Sequence, residues 1–225
     1  MTQNSFDQIL ESLHLLSHPF YQDWMAGNLS HSDLQDYAGQ YFAHVDAFPR
    51  YLSAAHSMCE NPQDRRALLE NLADEEGLTH GTSHPELWLH FAEGLGLTRE
   101  QVLGTTPRAG IENVIRTFFR LARSSSHQAL GALYAYESQV PEIADSKIKG
   151  LKERYHIQDE QTLSFFEVHR VADVAHRETL LTQLEQLPPA KKSEAQAAAV
   201  EAATALWGFL SDVQQRRSHA ACAAN

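Results

Sequence analysis

The chain of 225 residues is poor in the features that define several classes of protein. Its only cysteines, Cys59 and Cys222, are too few for a disulfide framework or a thiolate zinc site. No window approaches the roughly 18 unbroken apolar residues that are needed to span a membrane. Alternating runs of β-branched residues, which are typical of strands, are scarce as well. These absences argue against a disulfide scaffold, a membrane protein and a β-sheet protein.

The chain also has few positively charged residues. The 29 aspartates and glutamates outnumber the 18 lysines and arginines, and the net charge is −11. The densest basic segment, from Lys147 to Arg154, is short and interleaved with apolar residues, so we expect no nucleic-acid partner. The N-terminal segment MTQNSFDQILESLH has acids where a signal peptide would carry basic and apolar residues. We therefore expect a cytoplasmic protein with no membrane partner.

The sequence does contain helical periodicity along most of its length. Prolines and glycines separate apolar segments of helical period, which predicts an all-α protein. We expect residues 1–217 to form one domain and residues 218–225 a C-terminal tail. The predicted helices cover approximately residues 6–16, 30–57, 62–76, 85–96, 107–123, 124–137, 141–155, 159–187 and 193–217. Ser30 with Asp33 predicts an N-cap for the helix over residues 30–57, and Asp159 one for the helix over residues 159–187. Thr98 with Gln101 forms a further capping-box pattern between the predicted helices.

The most informative segment is FFEVHRVADVAHRE, from Phe165 to Glu178. It places His169, Asp173 and His176 at positions i, i+4 and i+7 of a predicted helix. Because a helix advances about 100° per residue, the three side chains fall within roughly 60° of one another. Imidazoles and carboxylates that converge inside a helical bundle commonly bind iron or manganese. The alternative is a solvated helix face that happens to carry histidines.

Two further segments supply metal-ligand candidates. In DEEGLTHGTSHPELW, either Glu75 or Glu76 lies at a helix end, and His84 precedes the next helix. A simpler interpretation of His84 is a helix cap or a surface histidine.

In GALYAYESQVPEIA, Glu137 follows small, apolar and aromatic residues that predict a buried helix. A buried carboxylate needs a partner, which can be a metal ion or an arginine such as Arg116 or Arg120.

Together these segments offer three histidines and three carboxylates. Three carboxylates bring a charge of about −3 against +4 for two divalent ions, which suits a dinuclear iron or manganese centre better than structural zinc. Two redox metals in a helical bundle are typical of dioxygen activation.

Seven tyrosines form a second feature of the sequence. Tyr37 and Tyr41 lie one helical turn apart, and Tyr136 directly precedes Glu137. Most of the tyrosines are expected to be core residues, but tyrosines close to an oxidising metal centre can themselves be oxidised. Lys147, ten residues after Glu137, can reach the same interior; its alternative is an exposed surface position.

The motifs HPFYQDW, DEE followed by HPELW, ALYAYE and HRVADVAH, in this order and spacing, resemble the family of the Chlamydia protein associating with death domains (CADD). This family lies in the larger group that is related to TenA and to the pyrroloquinoline quinone synthesis protein C (PqqC). The resemblance implies a heme-oxygenase-like fold of seven helices, a homodimer, and a dimetal oxidase. It also implies synthesis of p-aminobenzoate for folate, with dioxygen and a reductant as reaction partners.

Carried over residue by residue, the resemblance implies the following metal ligands: Glu75, His84, Glu137, His169, Asp173 and His176. Two extra residues between the first two positions leave Glu76 open as an alternative to Glu75. Tyr21 matches the tyrosine that supplies the aromatic ring, and Lys147 the lysine that supplies the amino group. Tyr37 and Tyr136 match further pocket tyrosines that relay electrons. Such a protein is consumed by its own reaction.

Three other functions compete with this interpretation. A TenA-like thiaminase requires a nucleophilic cysteine in its cavity, and Cys59 is the helical candidate. A PqqC-like oxidase would act on a free small molecule without metals. A protein-interaction module without enzymatic activity is the third possibility.

Overall fold

Eleven α-helices make up most of the computed structural model, which describes residues 4–79 and 81–223. They are α1 (Ser5–Leu10), α2 (Pro19–Ala26), α3 (His31–Met58), α4 (Pro62–Glu75), α5 (His84–Gly94), α6 (Arg99–Leu103), α7 (Ala109–Ala122), α8 (Ser126–Glu137), α9 (Val140–Arg154), α10 (Glu160–Glu185) and α11 (Pro189–Ala223). The described residues contain no strand, so the all-α prediction is confirmed. The helix count exceeds seven because short helices such as α1 and α6 are included.

The predicted caps form as the sequence indicates. The Ser30 hydroxyl accepts from the Asp33 backbone N–H while the Asp33 carboxylate accepts from the Ser30 N–H. Thr98 makes the same reciprocal arrangement at the start of α6. Asp159 accepts the Thr162 N–H at 2.8 Å. These side chains satisfy backbone donors that the first helical turn leaves unpaired, which fixes where α3, α6 and α10 begin.

Both ends of the chain differ from the prediction. The first helix ends at Leu10, and two 3₁₀ turns, Glu11–Leu13 and Leu15–Ser17, replace its second half. The Leu15 N–H donates to the Gln139 side chain at 2.7 Å, so a tertiary hydrogen bond replaces a helical one. The last helix begins at Pro189 and continues to Ala223, past the predicted end at residue 217. No glycine or proline follows Arg217 to end the helix.

Helix packing brings the candidate residues together from distant parts of the sequence. Helix α10 packs against α4, α5, α8 and α9, and α3 packs against α4, α5, α7 and α8. The helices α4, α5, α8 and α10 therefore surround one part of the interior, while α2, α3 and α9 border the neighbouring part. No helix in the described part of the chain combines the length and the apolar character that crossing a membrane requires.

Candidate metal centre and tyrosine–lysine cavity

Helix α10 turns its histidine stripe toward the protein interior. His169 and Asp173 are each 2% exposed, and His176 is largely buried. Val171 and Val174, on the opposite face, are exposed. The interpretation of this stripe as a solvated face is therefore wrong.

A first group of ligand atoms joins α4, α5 and α10. One atom each from Glu75, His84 and His169 lies within 4.8 Å of the other two, and all three residues are buried. His84 is 1% exposed, so its interpretation as a surface residue is wrong. Gly77, with a φ of 75°, lets the chain turn sharply after α4; a side chain there would collide with the Ser83 backbone N at 2.4 Å.

The two neighbouring candidate ligands, Glu75 and Glu76, differ in burial and in their contacts. Glu75, in the last turn of α4, is 4% exposed and its Oε2 lies 2.9 Å from His84 Nδ1. Glu76 is the C-cap of α4 and is exposed to solvent.

A second group of ligand atoms joins α8 and α10 beside the first. His176 Nδ1 lies 3.6 Å from Asp173 Oδ1 and 3.8 Å from Glu137 Oε2. Neither candidate arginine reaches the buried Glu137 carboxylate, because the Arg120 guanidinium binds Glu201 on the surface and Arg116 binds Asn113. The arginine-pairing interpretation of Glu137 is therefore wrong. We call the six residues of the two groups the histidine–carboxylate cluster.

Electrostatics of this cluster favour a bound cation. Burial and the nearby carboxylates raise the pKa values of Glu137 and Asp173, partly offset by His176. Burial lowers the pKa of His176, but the neighbouring carboxylates of Asp173, Glu137 and Asp74 outweigh burial and raise it to about 9. A divalent cation between these groups relieves the repulsion among the carboxylates and favours their ionised forms.

Unpaired polar atoms also fit a metal. Glu137 Oε2 and His176 Nδ1 are buried and have no hydrogen-bond partner among the described residues, and His84 Nδ1 lies 2.9 Å from Glu75 Oε2 without the geometry of a hydrogen bond. Buried polar atoms without partners are costly, and metal coordination satisfies them. The donor set of imidazole nitrogens and carboxylate oxygens suits iron or manganese.

Sequence reasoning did not identify two residues of α4 that support the cluster. Asn71 Nδ2 donates to Glu137 Oε1 at 2.9 Å, and Asp74 Oδ2 accepts from His176 Nε2 at 3.0 Å. Such outer partners orient metal ligands and fix the histidine tautomer. The spacing offered a signal, because Asn71, Asp74 and Glu75 lie at i, i+3 and i+4 of one helix and share a face.

Lys147 lies in the interior next to the cluster, which makes its interpretation as a surface lysine wrong. It is 3% exposed, and its Nζ donates to Tyr37 Oη at 2.7 Å. Tyr21 Oη lies 3.4 Å from Tyr37 Oη. Six aromatic rings have centroids 4.8–5.8 Å from the Lys147 Nζ. Burial among these rings lowers the pKa of Lys147 to about 7.

A small cavity connects these side chains to the histidine–carboxylate cluster. Its volume is about 20 Å3, and its lining includes Tyr21, Tyr41, Tyr136, Lys147 and His169. We call it the tyrosine–lysine cavity. The hydroxyls of Tyr41 and Tyr136 are close to each other, and burial raises the pKa values of both. Among these lining residues, Tyr41 was not predicted to belong to the site; its position one turn after Tyr37 was the available signal.

Comparison with known proteins assigns the family. Residues 35–209 match the family model of an iron-containing redox enzyme. A 4-aminobenzoate synthase of Nitrosomonas europaea is 39% identical over 232 residues, covering 96% of this chain and 93% of the relative. A 4-aminobenzoate synthase of Chlamydia trachomatis is 37% identical over 208 residues, covering 92% and 89%.

The fold resembles that of a solved structure. A domain from Shewanella denitrificans with a heme oxygenase-like fold superposes with a TM-score of 0.76 at 18% identity, covering 95% of this chain and 90% of that one. The predicted fold and family resemblance are thus confirmed, and the alternative of an interaction module without enzymatic activity is wrong. The chain belongs to the iron-containing redox enzyme family.

Proposed function

We propose that this enzyme makes 4-aminobenzoate, which is p-aminobenzoate, from its own Tyr21, with Lys147 as the nitrogen source and dioxygen as the oxidant. Relatives that share more than a third of its residues across nearly the whole chain are named 4-aminobenzoate synthases. The observation that carries the self-consuming part is the tyrosine–lysine cavity. Its volume of about 20 Å3 holds roughly one water-sized molecule.

Cavity size favours an internal ring over a free aromatic substrate. A molecule the size of dioxygen fits beside Tyr21, Lys147 and His169, whereas a benzene ring does not. An aromatic ring that already belongs to the wall of the cavity needs no further space. Covalent attachment also holds it at a high effective concentration near the oxidant.

The histidine–carboxylate cluster supplies the ligands for two iron or manganese ions. Glu75, His84 and His169 suit one ion, while Glu137, Asp173 and His176 suit the other. When bound, such a metal pair supplies the electrons and the redox potential that dioxygen activation requires. An external reductant would supply the electrons that this chemistry consumes.

The surroundings of Lys147 suit its Nζ to act as the nitrogen donor, and Tyr37 connects it to the hydroxyl of Tyr21. A pKa of about 7 leaves a large share of Lys147 neutral near pH 7, and a neutral amine has the lone pair that a new C–N bond requires. The hydrogen bond to Tyr37 Oη fixes the position of Lys147 Nζ, which lies 5.6 Å from the Tyr21 ring centroid. Tyr37 Oη also contacts Tyr21 Oη, so it is positioned to relay a proton and an electron between them.

Tyrosine has the substitution pattern that the product needs. Its hydroxyl and its Cβ are para to each other on the ring, as are the amino and carboxyl groups of 4-aminobenzoate. Lys147 Nζ replaces the hydroxyl, whose oxygen leaves as water, and the Lys147 Cε–Nζ bond breaks with Cε left as an aldehyde. The Cα–Cβ bond breaks, a hydrogen takes the place of Cβ on Cα, and Cβ is oxidised to the carboxyl carbon. Dioxygen is the oxidant and is reduced to water.

Cys59 gives little support to a thiaminase-like alternative. It lies at the C-cap of α3, does not line the tyrosine–lysine cavity, and its Sγ contacts the Asn61 carbonyl. Burial raises the pKa of its thiol, which disfavours the nucleophilic thiolate.

The test is a single-turnover product assay with protein containing ring-labelled tyrosine. Metal-loaded, reduced protein is exposed to oxygen without any added aromatic compound. We expect labelled 4-aminobenzoate in an amount no greater than one molecule per chain. Tyr21→Phe abolishes it because the phenol hydroxyl is lost, and Lys147→Arg abolishes it because a guanidinium does not give up nitrogen as an amine does.

Tyr155→Phe is the matched control, since Tyr155 is half-buried, packs against Trp24 and does not line the cavity. It should keep the wild-type yield. Product that forms over many turnovers, and only with an added substrate, would contradict the proposal and favour an oxidase that acts on a free molecule.

A further inference from the structure

The carboxylate of Asp7, on the N-terminal helix α1, joins two helices of the histidine–carboxylate cluster. Its Oδ1 accepts from Tyr134 Oη on α8 at 2.6 Å, and its Oδ2 accepts from the Arg177 guanidinium on α10 at 2.9 Å. Each carboxylate oxygen therefore binds a different helix. We call Asp7, Tyr134 and Arg177 the Asp7 bridge.

Both partners of Asp7 are close in sequence to candidate metal ligands. Tyr134 lies about one helical turn before Glu137 on α8, and Arg177 directly follows His176 on α10. Helices α8 and α10 together supply all three residues of the second ligand group. The bridge thus connects these two helices beside the place where they present that group.

Helix α1 holds the bridge in a fixed position. Asn4 caps α1 by accepting from the Phe6 and Asp7 N–H groups, and its Nδ2 donates to Asp7 Oδ2 at 2.7 Å. The Phe6 ring is fully buried and packs edge-on against the Tyr134 ring, with the two centroids 5.6 Å apart. Because hydrogen bonds to ionised groups are stronger than neutral ones, a carboxylate fixed in this way determines the distance between its two partners.

The second ligand group opposes the approach of α8 and α10 before a metal ion is bound. Glu137 and Asp173 both approach one nitrogen of the same imidazole, His176 Nδ1, at 3.8 and 3.6 Å. Both carboxylates are buried, so their negative charges repel each other with little screening by solvent. A link between the two helices that does not depend on the metal ion opposes this repulsion.

We infer that Asp7 is a positioning residue for the second metal ion: it holds α8 and α10 at the separation at which Glu137 and His176 bind one ion together. This inference rests on the proposed metal centre. The first ligand group should not depend on Asp7, because it joins α4 and α5 to His169, about two helical turns before Arg177. Loss of Asp7 is therefore expected to weaken the binding of one ion and not of the other.

Titration of the apoprotein with Co²⁺ tests this inference without any catalytic step. The visible absorption of the bound ion is followed in competition with a chelator, which yields a dissociation constant for each ion. Two single variants separate the ions: His84→Ala leaves only the second ligand group complete, and His176→Ala leaves only the first. Asp7→Ala is then combined with each of them.

In the His84→Ala background, Asp7→Ala should raise the dissociation constant of the remaining ion about tenfold, as for the loss of groups that orient metal ligands. In the His176→Ala background it should leave the dissociation constant unchanged. Asp7→Asn should have an intermediate effect in the first background, because its one amide oxygen accepts from only one of the two partners. Tyr134→Phe removes one partner and keeps the ring, so it should have a similar intermediate effect.

Asp23→Ala is the matched control for a general loss of stability. The Asp23 side chain is 28% exposed, against 22% for Asp7, and it also accepts from an arginine, Arg217, at 2.8 Å. Its other hydrogen bonds come from Gln214 on α11 and from Asn28 after α2, so they do not involve a helix of the ligand groups. In both backgrounds this variant should lower the melting temperature, as Asp7→Ala does, and leave the dissociation constants unchanged.

Three results would overturn the inference: an unchanged dissociation constant for Asp7→Ala in the His84→Ala background, equal weakening in both backgrounds, or equal weakening by Asp23→Ala. If Asp7→Ala does not fold, Asp7→Asn and Tyr134→Phe decide in its place. Wild-type protein that binds no Co²⁺ would instead contradict the metal centre itself, whereas two ions per chain with no effect of Asp7 would contradict this inference alone.

Discussion

The histidine–carboxylate cluster and the tyrosine–lysine cavity lie side by side, yet their polar groups are arranged in opposite ways. In the cluster, three buried carboxylates approach one another and three polar atoms have no hydrogen-bond partner among the described residues. Around the cavity, Lys147 Nζ donates to Tyr37 Oη, and the Tyr37 hydroxyl contacts that of Tyr21. The cavity groups are satisfied by one another, whereas the cluster groups need a partner from outside.

This difference separates two tasks. A set of ligand atoms for a cation is costly without the cation, because buried charges of one sign repel and cannot be solvated. Groups that react must instead be held ready, with pKa values that suit their chemistry. The low pKa of Lys147 and the protonated tyrosines fit the second task. The comparison therefore predicts that substitutions in the two regions have separable effects.

The largest expected effect is the loss of metal in His176→Ala. This variant removes an imidazole between Asp173, Glu137 and Asp74, so we expect elemental analysis to show that at least one of two metal ions is lost. His90→Ala, at a partly exposed histidine that pairs with Glu86, is the control and should keep both. Equal metal content in His176→Ala and wild type would show that the α10 stripe is not a ligand set.

A second prediction distinguishes the neighbouring glutamates. Glu75→Gln should lose metal, because its buried carboxylate faces His84, whereas the exposed Glu76→Gln should retain the wild-type content. Both changes remove one charge and keep the side-chain size, so they differ in position alone. Equal losses in the two variants would leave the first group of ligands unsupported.

The third prediction concerns stability. Metal binds the folded state only, so about a hundredfold excess over the dissociation constant adds roughly 2.7 kcal/mol. For a chain of this length, chelation should lower the melting temperature by roughly 5–10 °C, measured by calorimetry. Tyr21→Phe should show the same decrease, because its cluster is intact. An unchanged melting temperature after verified metal removal would contradict a buried, metal-dependent cluster.

The last prediction is a pH-dependent stabilisation by Lys147→Met. The folded protein holds the Lys147 proton only up to its pKa of about 7, whereas the unfolded chain holds it to about 10.4. Between these values the unfolded state binds more protons, so the stability contribution of Lys147 rises with pH. The variant should therefore raise the melting temperature most below pH 7 and progressively less toward pH 10.

Lys149→Met, at an exposed position of the same helix, is the control for this pH series and should show no such trend. A gain in Lys147→Met that does not change with pH would indicate that packing, rather than the cost of burying a charge, separates the variant from wild type.

The sequence predicted the parts of the molecule that depend on local spacing. The stripe of His169, Asp173 and His176 follows from helical period alone, and the capping residues located the start of α3 and α10. The end of the first helix could not be predicted, because a hydrogen bond between Leu15 and Gln139 replaces the local pattern.

Features that depend on contacts between helices could not be predicted from the sequence. Glu137 could have paired with an arginine, and its actual partner Asn71 is 66 residues away. Lys147 has no local feature that distinguishes it from the exposed Lys149, since the rings around it come from α2, α3, α5 and α10 packed against α9. The tyrosine–lysine cavity likewise depends on side chains from several helices, so no single segment indicates its size.

The most direct test of the central claim is the mass of residue 21 after the reaction. Arg50 is the first lysine or arginine in the chain, so trypsin releases residues 1–50 as one peptide, and fragmentation locates a change within it. After reduced, metal-loaded protein reacts with oxygen, the account predicts loss of the Tyr21 side chain in proportion to the 4-aminobenzoate formed, with Tyr37 and Tyr41 intact. An unmodified Tyr21 in protein that has released 4-aminobenzoate would contradict it.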